Sequence, residues 1–400
     1  MKQTTRFDSS LKLLLPIPKT ARLLVLAGFL ALAGSAFSQI DITKQTTPGN
    51  TPPIWVSMTG FTGEAAQVLQ FDLYVQGFNF TNADNAQYLI SGSNSGNLQG
   101  RVSDRYNKTA LLSKAYTGAS LRRQAHSFAD DFVEALGRKG IAKTKIAFNV
   151  RGGRNGEIYV ADFDGHNAQA VTRDNTLVAA PCWVPGRFAL YYISYKLGNP
   201  GIFSHDLSTG ARKTVAWYGG SSISPAASPD GRKVAMILSK DGWTDLYVAD
   251  ADGTNLKRLT RSPEDESSPC WSPDGQWICF ATRIKERRSL CKVPAGGGPA
   301  QRISTVGVLN PTEPDWSPDG KWIAFTAQMG GFEICVVPSG GGNVTELVAG
   351  EDPSWSPNSR TLAFSRRNGG HLSLLDVPTK QVKDVARVSS GENSQPSWAR

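Results

Sequence analysis

The 400-residue sequence is short of charge, of histidine and of long apolar runs, and each shortage removes a class of answer. Charged residues are only 19%, with no block of one sign, which excludes a disordered chain or an arm working by charge alone. The four histidines, His126, His166, His205 and His371, are scattered, so the clustered imidazoles of a metal-dependent lyase are missing. The one sustained apolar run, Leu23–Gly34, reaches about 18 Å as a helix against about 30 Å of hydrocarbon, too little to span a membrane. No Gly-x-Ser-x-Gly elbow exists: the nearest string, Gly92–Gly96, has Asn94 at the nucleophile position. Basic runs and aromatic–basic interleaving are also absent, so the net charge of +9 does not point to a nucleic acid. No catalytic residue, metal or cofactor is expected.

What remains begins with an export signal. Lys2, Arg6, Lys12, Lys19 and Arg22 precede the apolar run, and Ala36-Phe37-Ser38 offers small residues for cleavage before Gln39. Residues 1–38 are therefore expected to be removed, leaving 38 basic and 33 acidic side chains, or +5. The five cysteines are an odd number, and most sit at equivalent places in a repeat. Cys279 and Cys291 are the only pair worth testing for a bridge; buried apolar packing is the expectation for all five.

The repeat decides the architecture. Pro269-Cys-Trp-Ser-Pro-Asp-Gly275 recurs as Pro314-Asp-Trp-Ser-Pro-Asp-Gly320, with weaker copies starting at Pro181, Pro225, Pro353 and Pro396. The intervals between leading prolines are 44, 44, 45, 39 and 43, the period of four-stranded propeller blades. Pro-x-Trp reads as an inner strand whose indole wedges between blades, and Ser-Pro-Asp-Gly as a turn in which proline presets φ and glycine supplies a positive one. Lys145–Val150, Glu157–Ala161 and Ala170–Thr172 lack such an inner strand, while Pro396–Arg400 supplies one without a blade. Joined, they close a six-bladed all-β propeller over residues 143–400. Asp162–His166 and Asp250–Thr254 have a faint look of calcium loops, but they recur between strands and lack the later bidentate Glu, so they read as hairpin turns. Gly296–Gly298 and Gly340–Gly342 likewise mark one turn in two blades and not a phosphate loop.

Residues 39–140 lack the repeat and read as a small α/β domain. Strands are expected at Ile54–Phe61 and Gln87–Ser91, a helix at Glu64–Val75 and a hairpin at Leu98–Asp104 with Thr109–Tyr116. Ser120 caps a second helix whose apolar stripe runs from Leu121 to Leu136 and ends at Gly137. Lys139–Thr144 is a short linker.

With the signal, the helix Leu121-Arg-Arg-Gln-Ala-His126, the segment Gly140–Ala147, the turn Asp162–Asn167 and six blades in this order, the chain resembles the TolB family of periplasmic proteins. The resemblance implies a monomeric, non-catalytic connector of the Tol–Pal system that supports outer-membrane integrity and constriction at division. It associates with the envelope through proteins only. In that family the peptidoglycan-associated lipoprotein Pal binds the propeller's channel mouth, and the segment after the signal contacts TolA. Carried over by position, the lipoprotein surface comprises Leu177, Val178, Ser221, Ser222, Glu266, Ser267, Asn310, Thr312, Glu313, Glu351, Asp352, Glu392 and Asn393. The TolA contact would be Gln39, Ile40, Asp41, Ile42, Thr43 and Lys44. The carboxylates among the rim residues suggest an acidic mouth that steers a basic partner surface. Ser221 stands where the family commonly has a histidine, which puts partner affinity or identity in question. The competing reading is a periplasmic sensor that takes a small ligand or cell-wall fragment in the channel.

Overall fold

The structure, a computed structural model, describes residues 48–367, 369–388 and 391–400. The signal segment and Gln39–Lys44 lie outside the described residues. The chain first builds a five-stranded sheet from β1 (Ile54–Thr59), β2 (Phe78–Phe80), β3 (Tyr88–Ser93), β4 (Leu98–Asp104) and β5 (Ala110–Tyr116), in the order β2-β1-β3-β4-β5. The short strand β2 was not legible in the sequence; it runs parallel to β1 immediately after the first helix, Gly63–Tyr74. The second helix, Leu121–Ala135, starts where Ser120 Oγ accepts the Arg123 N–H at 3.3 Å. Its stripe buries Phe128 and Phe132 against Leu69, Phe78, Ile90 and Val102 in one core.

Six four-stranded antiparallel blades follow. Blade 1 joins Glu392–Trp398 to Lys145–Gly152, Asn155–Asp162 and Gln169–Ala170, so the two ends of the repeat region share one sheet. The inner strands of blades 2 to 6 are Val178–Trp183, Ser222–Ala227, Ser267–Trp271, Pro311–Trp316 and Glu351–Trp355. The indoles do wedge between blades: Trp271 packs on Ile237 and Val248 of blade 3, and Trp355 donates its Nε1–H to Asp315 O of blade 5 at 3.1 Å. The Ser-Pro-Asp-Gly turns close in the same way each time. In blade 4, Ser272 Oγ bonds Asp274 Oδ1 at 2.5 Å and accepts Trp277 N–H at 2.9 Å, while Gly275 takes φ +68°.

The α/β region and the propeller meet at a buried cluster of ionisable groups. Arg122 and His126, one helical turn apart, project from the second helix toward Asp164, in the turn between the strands Asn155–Asp162 and Gln169–Ala170 of blade 1. Arg122 pairs with Asp164, with Glu64 at 3.0 Å and with His166 Nδ1 at 2.6 Å. His126 Nδ1 meets Asp72 Oδ2 at 2.7 Å, and its Nε2 lies 3.4 Å from Asp164. Below them Val75, Phe163, Leu374 and Trp398 form a shared apolar core, and Thr361 Oγ1 donates to Val75 O at 3.1 Å.

Burial pushes the Asp72 carboxyl up to about 7, and Asp72 and Asp164 together hold His126 above the usual imidazole value despite its burial. Asp72 thus keeps a proton that the unfolded chain has already released, so stability falls as pH rises from about 4 through about 7, and the raised His126 adds to that fall only above the usual imidazole value of 6.5. One pKa unit is worth about 1.4 kcal/mol, so the net shift of Asp72, with the influence of His126 included, corresponds to on the order of 4 kcal/mol. The melting temperature is expected to be lower at pH 8 than at pH 5. In Asp72→Asn that difference shrinks by several degrees; an unchanged difference would remove Asp72 as its source.

Candidate functional site at the propeller mouth

Every inner strand carries the same defect where it enters the channel. In each blade two inner-strand residues oppose one on the second strand, as Glu313 and Pro314 do between the pairs Thr312–Thr326 and Asp315–Ala324. The first bulge residue is left-handed in all six: Ala180, Ser224, Ser268, Glu313, Asp352 and Gln395 have φ between +49° and +56°. Proline takes the second place, where its missing N–H removes no ladder bond. A left-handed non-glycine residue costs roughly 1–2 kcal/mol, so this ring is held against a strain that the closed propeller must outweigh.

Two partial rings of hydrogen bonds tie inner strands together around a cavity of about 570 Å³. In the upper ring the bulge residue of one blade accepts the N–H of the next. Glu313 Oε2 takes Asp352 N at 3.2 Å, Asp352 Oδ2 takes Gln395 N at 3.2 Å, and Gln395 Oε1 takes Ala180 N at 2.9 Å. In the lower ring the middle residue of Pro-x-Trp does the same one step deeper. Asp315, Ser354, Ser397 and Cys182 accept from Trp355, Trp398, Trp183 and Ala227. Arg400 crosses the channel to pair with Asp315 and donates to Trp355 O at 3.2 Å. Neither ring closes: among the described residues the upper bonds run from blade 5 through blades 6 and 1 to blade 2, and the lower ones reach blade 3. Blades 3 and 4 are joined by Trp271 Nε1–H to Ala226 O at 2.9 Å; blades 4 and 5 lack that bond, since Trp316 Nε1 turns back to Gly320 O. They are joined instead at the outside, where Thr305–Val306 runs parallel to Gly342–Asn343.

Several residues placed on the rim by sequence are not at the surface. Val178, Ser222, Glu266 and Asn393 are buried, the last three being polar. Glu266 accepts Leu246 N at 2.9 Å and Thr260 Oγ1 at 2.5 Å, and burial lifts its carboxyl to about 7. It holds blade 4 to blade 3 and cannot meet a partner. Leu177, Ser221, Ser267, Asn310, Thr312, Glu313, Glu351 and Asp352 are half-buried, and Glu392 is exposed. Glu313, Asp352 and Gln395 line the cavity, while Ser221 and Ser239 exchange hydrogen bonds across blade 3. The mouth is less negative than its composition suggests. Burial, with Glu313 and Glu351 beside it, raises Asp352 well above the carboxylate range; burial and Glu313 also raise Glu351. The two Asp-rich segments are hairpin turns: Asn167 Nδ2 and Asn255 Nδ2 each close on the leading aspartate at 2.6 Å. All five cysteines are free thiols, and the register does not bring the candidate pair Cys279 and Cys291 together. Cys279 faces Cys270 and Lys292, and Cys291 packs in a different cluster.

The profile of the TolB beta propeller domain matches residues 133–400, two thirds of the sequence. The chain belongs to the TolB family. The Tol-Pal system protein TolB of Bordetella pertussis is 33% identical over 228 residues, covering 54% of this chain and 52% of that protein. TolB of Bordetella parapertussis matches over the same shares, so the chain spans about half the length of the curated relatives it matches. TolB from Acinetobacter baumannii has a similar fold, with TM-score 0.79 and 21% identity over 88% of this chain and 98% of that one. A chain of the nidogen/laminin complex shares the fold alone, with TM-score 0.55 and 12% identity over 64% of this chain and 98% of that chain. Within this TolB family member the helix carrying Arg122 and His126 and the turn carrying Asp164 form one contact, which no pattern in the sequence reports.

Proposed function

We propose that this TolB-family chain is a non-catalytic periplasmic connector of the Tol–Pal system, taking the lipoprotein Pal at the propeller mouth and TolA through Gln39–Lys44. Exported by a cleaved signal at residues 1–38, it works as a monomer by recognition alone, bridging inner- and outer-membrane components in support of envelope integrity and constriction. The supporting observation is the mouth itself. Six strained bulges and an arc of side-chain-to-backbone bonds hold polar groups in fixed positions around a recess, a preorganised surface for a protein partner.

Binding of the two partners to purified mature protein tests this. Glu351→Lys/Glu392→Lys, at accessible rim positions, is expected to weaken Pal binding about tenfold, or about 1.4 kcal/mol, with melting unchanged. Deleting Gln39–Lys44 should abolish TolA binding and leave Pal binding intact. A folded protein that binds neither would sink the connector. The channel favours one second reading, since a cavity of about 570 Å³ lined by Trp183, Trp271 and Trp316 is of small-molecule size. A low-molecular-weight ligand co-purifying in the channel without Pal would support that sensor.

A further inference from the structure

The turns joining the second and third strands of the blades all lie on the mouth face, because each inner strand runs away from the mouth and the second strand returns to it. In blade 4 this turn closes the hairpin of Trp277–Ile284 with Arg287–Pro294, in unbroken register up to the pair Ile284–Arg287. Its tip reads Arg283-Ile-Lys-Glu-Arg-Arg288, four cations against Glu286. Ile284 and Glu286 break that run along the chain; the hairpin folds its cations back together. A two-residue loop makes Ile284–Arg287 the hydrogen-bonded pair. Arg283 and Arg288 are then the next, non-hydrogen-bonded pair, with Cα atoms about 4.5 Å apart and side chains on one face. Like charges directly opposite destabilise a sheet. Among the described residues no carboxylate pairs with Arg283, Lys285, Arg287 or Arg288. The loop adds strain of its own, since Lys285 and Glu286 take φ +51° and +66° where such turns favour Asn-Gly. Neither feature helps the fold, and both keep uncompensated cations at the tip.

An apolar pad adjoins this tip on the same face. Tyr195 and Leu197 in the equivalent turn of blade 2, Trp217 and Tyr218 where blade 2 leads into blade 3, and Trp243 in the turn of blade 3 are exposed. Their loops are fastened to one another: Asn199 Nδ2 donates to Gly219 O at 3.0 Å, and Ser221 N donates to Ser239 Oγ at 2.7 Å. Ile284 packs on the core that blade 4 shares with Ile237 and Leu246, which flank the turn of Trp243. The cations of the pad are already engaged, Lys196 over the Phe203 ring at 3.9 Å and Lys240 beside Asp241 at 3.7 Å. Blade 4 thus supplies net charge, and blades 2 and 3 supply rings. The same turns of blades 1 and 5, Gly152-Gly153-Arg154 and Met329-Gly330-Gly331, expose no large apolar side chain.

We infer that blades 2 to 4 of the mouth face dock on an anionic lipid surface, the blade 4 guanidinium groups taking lipid phosphates and the Trp and Tyr rings entering the headgroup layer. Arginine pairs bidentately with phosphate oxygens, and one anion between Arg283 and Arg288 relieves their repulsion. Trp and Tyr settle at membrane–water interfaces, and cations near an anionic leaflet add affinity. A bilayer fits these residues better than an acidic protein does, because they stand on projecting turns, whereas protein hot spots sit in packed pockets. That a bilayer lies within reach rests on the periplasmic location proposed above. Direct lipid contact adds to the protein-only association that the resemblance implies.

Sedimentation of the mature chain, residues 39–400, with vesicles tests this. Binding is expected to vesicles of phosphatidylcholine with about a third phosphatidylglycerol, and about tenfold weaker binding to pure phosphatidylcholine. High salt, which screens exposed charges, should release the protein. Arg283→Gln/Arg287→Gln/Arg288→Gln and, separately, Trp217→Ala/Trp243→Ala should each weaken binding about tenfold with melting unchanged. Arg151→Gln/Arg154→Gln, at the turn of blade 1, should leave it as in the parent. No binding to the anionic vesicles overturns the proposal, as does binding that the three variants all retain or all lose alike. A protein that ignores vesicles and binds polyglutamate through the blade 4 arginines would mark a site for an acidic protein, which also overturns it. The lipid-composition and salt arms use the parent alone and decide if a variant folds poorly. Pal and TolA are absent from the assay, so its failure leaves the connector reading as it stands.

Discussion

Removing residues 392–400 is expected to abolish the cooperative thermal transition and leave an aggregating chain. The deletion exposes Lys145–Gly152 as a free sheet edge along most of its length. It takes away Trp398, which is buried against Phe163 and Leu374 and donates Nε1–H to Thr144 Oγ1 at 2.7 Å. Losing one buried indole alone costs about 3–5 kcal/mol. Arg400 leaves with it, so Asp315, whose carboxyl burial already pushes up, loses its cation. Stranding a buried charge in this way costs about 3–5 kcal/mol more. The sum, with the lost strand pairing, reaches the whole stability of a typical domain, about 5–15 kcal/mol. Circular dichroism melting with size-exclusion chromatography reads the result. A truncated monomer with an unaltered cooperative melt would show that joining the two ends of the repeat region does not secure the ring.

The second large effect lies where the α/β region meets blade 1. Arg122→Ala is expected to lower stability by about 3–5 kcal/mol, because Asp164 is left buried beside Asp72 with only His126 between them. The guanidinium meets three groups at once, Asp164, Glu64 and His166 Nδ1. Lysine has one compact charge in place of that planar fork, so Arg122→Lys should recover only part of the loss. Urea titration measures both variants. If Arg122→Ala unfolds at the parent's midpoint, the cluster is not what holds this junction.

Much of the ring was legible because its signals are periodic. Pro-x-Trp spacing marks the inner strands, Ser-Pro-Asp-Gly marks the turns, and the unmatched Pro396–Trp398 points to closure with Lys145–Val150. The second helix was legible for the same reason, a stripe at helical spacing bounded by Ser120 and Gly137. The left-handed ring was not. A residue before proline reads as extended, and a positive φ reads as glycine, yet Ala180, Ser224, Ser268, Glu313, Asp352 and Gln395 are neither. Their conformation is imposed by the bulge, a property of strand pairing that no local pattern reports. Glu266 misled for a related reason: its side chain reads as solvated, and only the fold brings it acceptor duties toward Leu246 and Thr260. That Cys279 faces Cys270 and not Cys291 needed the register itself, since Cys279 and Cys291 look equally adjacent on paper.

The seam between blades 4 and 5 separates its hydrogen bonds from its packing. Its hydrogen bonds sit at the circumference, in the parallel pair Thr305–Val306 and Gly342–Asn343. Toward the bore the joint is made of shape, with Trp316 buried against Cys270, Cys279 and Leu290 of the neighbouring blade. Twisting of the disc is thus opposed here by close fit, and by directional bonds in the arc around Asp352, Gln395 and Ser397.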